Sequence, residues 1–497
     1  PLLTPSQLIR YENIINGINM DDAKYYSGYT FSSDGYSNVS SYNNINLAYA
    51  WARGFDGSVN QNSILTSSSG QPQFLSNSSI TSLDYQIGDS IDIAVLDSGV
   101  YADNVLVTNN LKSASGDLVS NQLYQFYSEK CTGSSPCFIH QKDPTTLIGI
   151  KCTGSNTLSC ILYLYQKSDQ GATLTEISDT GFSISPNNTN PLNSDSQHGT
   201  SVASLIIANP VETASDTYTG FSGIAPNAKV IPYLISANYS YTDNENNNYE
   251  FSNFANSKYI GNAIKSASEN NAVAINNSWG TTGKWGDDGI LKMSGNDIII
   301  NYPLLGINNL KLNENILYYW YNDTTTNSNY DSSIDYSSSI YKSTFLDSMI
   351  DAVNLKDSIF VFAAGNNAQS GPSLENLIPL YLKNDDNTLT FFDGVTNSYK
   401  NFITVVAFDD STGRLADYSN KCGVAKKYCL TAPGTKLMVA YNTGIALNMS
   451  GTSFSAPIVS GAIALLKGAF PYLTGAEITK ILFVTATDLG AAGVDEV

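Results

Sequence analysis

The sequence predicts an α/β fold: a parallel twisted sheet with helices on both faces and β-rich loop insertions. Short apolar runs rich in β-branched residues read as buried strands. They alternate with helix-length periodic segments, the signature of a parallel sheet covered on both sides. The strand Ser90–Leu96 runs straight into Asp97-Ser98-Gly99, placing an acidic group at a strand's carboxyl end, where α/β folds put their functional groups.

Taken in order, Ile45–Arg53 reads as a short helix and Ser90–Leu96 as the first strand. Residues 101–192 carry two close cysteine pairs and β-like runs at Leu147–Lys151 and Cys160–Gln166, which suggests an inserted, disulfide-clipped hairpin region. His198–Ala208 is helical and Lys229–Leu234 a strand. Ile260, Ala263, Ile264 and Ala267 fall at i, i+3, i+4 and i+7, so Lys258–Asn270 is an amphipathic helix. Ala272–Asn276 is the next strand. Residues 281–345, crowded with Tyr, Asn, Asp and Ser, read as a second insertion. Phe345, Met349, Ile350 and Val353 mark a helix. Ser358–Ala364 is a strand ending at Gly365-Asn366, Ile403–Ala407 is another, and Ser453–Phe470 is a long apolar helix. The expected organisation is a Tyr/Asn/Ser-rich arm over residues 1–44 and one domain over 45–497, interrupted at 101–192 and 281–345.

Composition narrows the function. With 44 acidic against 25 basic residues the net charge is −19, which argues against a phosphate-binding face, so no nucleic-acid partner is expected. At 42% apolar residues the chain can bury a large core. No apolar run reaches the roughly 18–20 residues of a membrane-spanning helix. The six cysteines form three short-spaced couples, Cys131/Cys137, Cys152/Cys160 and Cys422/Cys429, in polar surroundings. Pairing within each couple is favoured over zinc, because no C-x-x-C occurs and His140 and His198 are the only histidines. Disulfides imply an oxidising compartment, hence an exported chain whose leader has been removed.

Three segments carry the chemistry. Asp97 ends the first strand. His198-Gly199-Thr200 opens a helix, with a glycine that permits close approach of another chain. Ser450-Gly451-Thr452-Ser453-Phe454-Ser455-Ala456-Pro457 starts a constrained helix with Ser453 near its first turn. Taken singly, each has an ordinary reading as a turn, a cap or a packed histidine. Together they suit acyl transfer. Ser453 needs a base, His198 is the one suited to neutral pH, and Asp97 would orient it through Nδ1–H. The Ser453 N–H and the Asn366 amide would receive the developing oxyanion.

In this order, Asp97 in DSG, His198 in HGTSVA, Asn366 in AAGN and Ser453 in GTSFSAP resemble the motifs of subtilisin-like serine peptidases. The resemblance implies an exported serine endopeptidase cleaving protein or peptide substrates through an acyl-enzyme. Asn276-Asn277-Ser278-Trp279-Gly280 is similar to the strand lining the first specificity pocket, making Ser278, Trp279 and Gly280 candidate substrate-binding residues. Trp279 suggests a bulky apolar wall, whereas Asp287 and Asp288 would favour basic residues. Extended substrate is expected to pair with edges around Ser236–Asn238 and Ser278–Gly280. The stretch around Cys422 and Cys429, together with the closing residues, resembles the passenger domains of bacterial autotransporters. That implies a monomer at the cell surface or outside the cell, linked in its precursor to a downstream membrane β-barrel. No cofactor is expected. Structural Ca²⁺ would be in keeping with the family, although no spaced ligand set appears. The competing reading is a surface adhesin on a peptidase scaffold with vestigial catalysis. An esterase is disfavoured, since Gly451-Thr452-Ser453-Phe454-Ser455 lacks the second glycine of G-x-S-x-G.

Overall fold

The computed structural model describes, with short gaps, residues 89–112, 137–179, 197–302 and 307–489, together with Leu47, Ala50, 55–59 and Leu192; within 137–179, 211–219 and 236–254 it describes the backbone alone. The arm at 1–44, Asp287, Asp288 and Cys131 lie outside the described residues. Of the helix expected at Ile45–Arg53, only Leu47 and Ala50 are described, both helical.

The central sheet is built from β1 (Asp92–Asp97), β6 (Lys229–Leu234), β9 (Ala274–Asn277), β13 (Ile359–Ala363), β14 (Phe402–Asp409) and β16 (Cys429–Pro433). They run parallel in the spatial order β6-β1-β9-β13-β14-β16, and the two-residue β15 (Arg414–Leu415) lies antiparallel on β14. The chain leaves β1 to form β6 on one side and returns to form β9 on the other. The order therefore reverses between β1 and β9, and in open α/β sheets binding crevices form outside the strand ends at such a switch point.

Strand periodicity of two divides the sheet's faces. Ile93 and Val95 pack with α1 (Gln197–Ile207), α5 (Thr452–Ala469) and α6 (Gly475–Thr485). Ala94 and Leu96 point the other way, onto α2 (Ser257–Glu269) and α4 (Thr344–Lys356). The expected i, i+3, i+4, i+7 stripe of α2 is the buried one: Ala263, Ile264 and Ala267 have no exposed surface. Each large side chain buried this way, such as Ile264 or Phe345, contributes about 1.5–3 kcal/mol. Ser343 caps α4 by accepting the Leu346 N–H, and Asp357 ends it in the left-handed region at φ 56°.

Both insertions differ in extent from the expectation. The segment from 101 to 112 belongs to the core, with Val107 and Leu106 buried and the Lys112 N–H bonded to the Val230 carbonyl. Beyond it, β2 (Cys137–Gln141), β3 (Thr146–Thr153), β4 (Ser159–Lys167) and β5 (Leu174–Asp179) form a four-stranded antiparallel sheet in chain order. Cys152 and Cys160 lie directly opposite each other on β3 and β4. The second insertion folds as the antiparallel sheet β10 (Leu291–Ser294), β11 (Asp297–Tyr302) and β12 (Ile307–Lys311), followed by α3 (Glu314–Trp320). Its Ile298, Ile300, Ile316 and Leu317 join the core cluster of α2 and α4, so this part is packed rather than decorative. The edge expected at Ser236–Asn238 is taken on one side: β7 (Ser236–Thr242) pairs antiparallel with β8 (Asn248–Phe254). No described helix is long and apolar enough to cross a membrane.

Candidate active site

Asp97, the last residue of β1, is 4% exposed beside the topological switch. Its carboxylate is held by the next residue: the Ser98 N–H and hydroxyl donate to Oδ1 at 2.7 and 3.0 Å. Ser98 Oγ in turn accepts the Gly199 N–H at 3.1 Å. One hydroxyl thus couples the end of β1 to the start of α1, using a donor that a helix's first turn leaves free. Gly199 is needed there because a Cβ at that position would stand 2.1 Å from the Gly99 carbonyl oxygen.

This contact delivers His198 to Asp97. Nδ1 lies 2.9 and 3.0 Å from the two carboxylate oxygens, a fork that fixes Nδ1 as the protonated nitrogen and leaves Nε2 as the base. Burial works against the imidazolium, but the charge of Asp97 and its hydrogen bond outweigh it and raise the His198 pKa above its ordinary 6.5. The ring still keeps 42% of its side-chain surface open, and it tilts against Phe454 with centroids 5.8 Å apart.

Phe454 follows Ser453 in the first turn of α5, so the His198 ring packs against the turn that carries Ser453. Both hydrogen bonds described for His198 involve Nδ1; none among the described residues joins Ser453 Oγ to Nε2. Catalytic hydrogen bonds are often long without substrate and tighten in the reacting complex.

The first N–H groups of α5 differ in their partners. The Thr452 N–H donates to Asn366 Oδ1 at 2.8 Å and the Phe454 N–H to the Gly451 carbonyl at 3.0 Å. Among the described residues the Ser453 N–H has no hydrogen-bond partner. The Thr452 hydroxyl also donates to Asn366 Oδ1, at 2.9 Å, while accepting the Gly365 N–H at 3.1 Å. With Oδ1 held twice, the Asn366 amide leaves its Nδ2 donors available beside Gly451. Two fixed donors, Ser453 N–H and Asn366 Nδ2, are what a developing oxyanion requires.

Pro457 alters the hydrogen bonding of this helix start. It has no N–H to give the Ser453 carbonyl four residues earlier. Ser278 supplies the missing donor, with Oγ 2.8 Å from that oxygen. Ser278 Oγ accepts from Asn276 Nδ2 at 2.9 Å, and Asn276 Oδ1 accepts from Ser460 Oγ at 2.9 Å. A buried chain of side chains therefore ties α5 to the end of β9. Trp279 turns to pack edge-on against Phe362 (5.6 Å) and against Phe345 (6.3 Å). Gly280 faces the segment at Ser373.

Sequence reasoning missed Asn420, which is 2% exposed. Its Nδ2 donates to the Ala364 carbonyl at 2.9 Å, and its Oδ1 accepts the N–H groups of Asn367 and Gln369, each at 3.0 Å. Its own N–H reaches the Gly365 carbonyl at 2.9 Å. Gly365 adopts φ 110°, and a Cβ there would meet Asn420 Nδ2 at 2.5 Å. Asn420 thus shapes the loop that presents Asn366. The signal available was its position directly before the stretch around Cys422 and Cys429. Two residues on, Cys422 is disulfide-bonded to Cys429. Among the described residues no group of three His, Cys, Asp or Glu side chains could hold a metal ion.

The sequence profile of the subtilase family matches residues 88–497. The chain belongs to the subtilase family. Among curated relatives, it is 36% identical over 140 residues to the autotransporter lipoprotein NalP of Neisseria meningitidis, covering 28% of this chain and 13% of that protein. It is 32% identical over 160 residues to an extracellular serine protease of Serratia marcescens, covering 28% and 14%. The matched stretches thus span far less than two thirds of these relatives. Among solved structures, Sphericase aligns over 80% of this chain and 83% of its own, at 17% identity and a TM-score of 0.40.

Proposed function

We propose that this chain is an exported serine endopeptidase that hydrolyses peptide bonds through Asp97, His198 and Ser453 and an acyl-enzyme intermediate. The observation that carries this reading is the Asp97–His198 fork lying against Phe454, beside a Ser453 N–H that has no described partner. Ser453 Oγ attacks the scissile carbonyl carbon as its proton passes to His198 Nε2. Asp97 stabilises the imidazolium that forms. The carbonyl oxygen becomes an oxyanion between Ser453 N–H and Asn366 Nδ2. On collapse, His198 returns the proton to the departing amine and Ser453 is left acylated; water, deprotonated by His198, then releases the acid.

Export is supported by the Cys422–Cys429 disulfide, since such bonds persist in oxidising compartments. Relatives described as an autotransporter lipoprotein and an extracellular serine protease support a surface or extracellular location. The autotransporter relative also supports a precursor in which a membrane β-barrel follows.

The test is labelling with a fluorophosphonate, wild type beside Ser453→Ala, followed by peptide mapping. Stoichiometric label on Ser453, lost in the variant together with about 10⁶ of kcat, is expected. A folded wild type that takes no label, or a variant keeping a tenth of the activity, refutes the reading.

A further inference from the structure

Asn366 is carried by a loop that leaves the buried strand β13 at Gly365, and Asn366, Asn367, Ala368 and Ser370 are all exposed. Ala368 adopts φ 50°, a left-handed conformation that a residue with a Cβ keeps only where its surroundings impose it. Asn420 fixes the N–H groups of Asn367 and Gln369, and the Ala368 N–H donates to the Tyr418 carbonyl at 2.8 Å. These contacts occupy N–H groups of the outgoing limb. The Asn367 carbonyl and the returning limb at Gly371 and Pro372 are held by other residues.

Those residues lead into the second insertion. Gln369 Nε2 donates to the Asn367 carbonyl at 2.7 Å, and Gln369 Oε1 accepts the Trp285 N–H at 2.8 Å. One side chain thus joins Asn367, the neighbour of Asn366, to Trp285. The Trp285 indole N–H donates to the Pro372 carbonyl at 2.9 Å, and its ring lies against Gly371, where a Cβ would stand 2.6 Å from it. Trp285 is itself seated by the insertion. The Gly286 N–H donates to the Leu291 carbonyl at 2.9 Å, and the Leu291 N–H to the Lys284 carbonyl at 3.1 Å. Leu291 opens β10, has no exposed surface and pairs with Ile300 of β11. Both limbs of the Asn366 loop therefore lean on a residue whose place is set by the packed part of the insertion.

We propose that Trp285 and Gln369 are positioning residues for the reaction, through which the second insertion holds Asn366 Nδ2 where the oxyanion forms. The assignment rests on the peptidase reading above, since Asn366 has that task only if Ser453 attacks a carbonyl. Such a clamp acts without touching substrate. It works on a donor whose value depends on being fixed in advance, so its loss is read in kcat and not in KM.

The experiment compares kcat, KM and affinity for a peptide boronate in wild type, Gln369→Met, Trp285→Ala, Trp285→Phe and Gly371→Ala. A fluorogenic peptide selected on wild type is the substrate, and active sites are counted by fluorophosphonate labelling of Ser453. Gln369→Met removes both bonds of the bridge at similar length. It should lower kcat by about 5–50-fold, short of the roughly 10²–10³ that follows outright loss of an oxyanion donor. KM should stay within about twofold while boronate affinity falls in step with kcat. Trp285→Ala should behave alike, and Trp285→Phe, which keeps an aromatic ring in that seat, should recover most of kcat. Combining Gln369→Met with Trp285→Ala should cost little more than the worse single change, because both cut one path. Gly371→Ala leaves both partners in place and wedges a methyl against the indole, so it tests the clamp even where Trp285→Ala fails to fold. Folded variants that keep kcat and boronate affinity within twofold, that change KM alone, or whose losses multiply in the double variant overturn the assignment and leave the peptidase reading standing. A folded wild type that takes no label removes both.

Discussion

Asn420→Ala isolates how much of catalysis depends on a loop held in place by a residue that never meets substrate. The change deletes three side-chain hydrogen bonds, those to the Ala364 carbonyl and the Asn367 and Gln369 N–H groups. At roughly 1 kcal/mol net each, their simple sum is about 3 kcal/mol. The structure argues for less. The Ala364 carbonyl keeps the Ser373 N–H as a second donor, and Asn367 is exposed enough for water to replace what it loses. A stability loss of about 1–2 kcal/mol follows. Catalysis should suffer more, because Asn366 sits in the middle of the released segment while its Oδ1 stays tethered to Thr452. Outright loss of one oxyanion donor costs about 10²–10³ in kcat. A loosened donor should cost roughly 10–100-fold within that ceiling. KM should stay within about twofold, and the affinity for a peptide boronate should fall in step with kcat, since both report the tetrahedral state. Asn420→Asp separates the contacts: it keeps the acceptor toward Asn367 and Gln369 but sets a carboxylate oxygen against the Ala364 carbonyl. Steady-state kinetics and boronate titration at equal active-site concentration decide the matter. If Asn420→Ala melts lower but keeps kcat and boronate affinity within twofold, Asn420 is only a structural residue and the positioning argument fails.

Activity should fall at acid pH with a midpoint above 6.5, because Asp97 holds the His198 pKa above that value and only the neutral imidazole acts as base. The stability contribution of the same pair has the opposite slope: it is complete below 6.5 and is lost as pH rises through the raised value. Asp97→Asn should lower both the midpoint and kcat, the latter by about 10⁴; a pH–kcat profile that does not move argues against the pairing. Gly199→Ala puts a methyl 2.1 Å from the Gly99 carbonyl oxygen, so α1 must shift and carry His198 off Asp97. A loss of about 100-fold in kcat/KM is expected for a displacement near 1 Å, and wild-type kinetics in a folded variant would contradict it. Replacing Cys422 and Cys429 together with serine opens a loop of sequence separation 7. Chain entropy places the cost at about 2.5 kcal/mol, read from denaturant midpoints; an unchanged midpoint would show that the hydrogen bonds around Asn420 suffice without the staple.

What could be read from the sequence was what each segment determines for itself. Lys229–Leu234 is a strand with those bounds, α1, α2 and α5 begin and end within about two residues of expectation, and Phe345, Met349, Ile350 and Val353 do lie on one helix, α4, because period and composition are local. The packing of the second insertion was hidden by its polar composition. Its Tyr- and Asn-rich surface hides Ile298, Ile300, Ile316 and Leu317, spaced at periods of two along β11 and adjacent on α3, which are deep in the core.

Pro457 shows the same division within one feature. From the sequence it marked an unusually constrained helix start. The constraint is chemical: a proline at that position removes the donor for the Ser453 carbonyl, and a helix with an unfilled carbonyl in its first turn must obtain a hydrogen bond elsewhere. Ser278 provides it, 175 residues distant in the chain. Ser278 is in turn held by Asn276, and Asn276 by Ser460 on the same helix, so the turn that carries Ser453 is fixed to the end of β9. Ser278 was expected to bind substrate; its hydroxyl bonds the Ser453 carbonyl and so ties the end of β9 to the helix that carries Ser453. On the proposed mechanism, a scissile carbonyl aligned on that segment is thereby aligned on Ser453 as well, the positioning that an efficient attack requires.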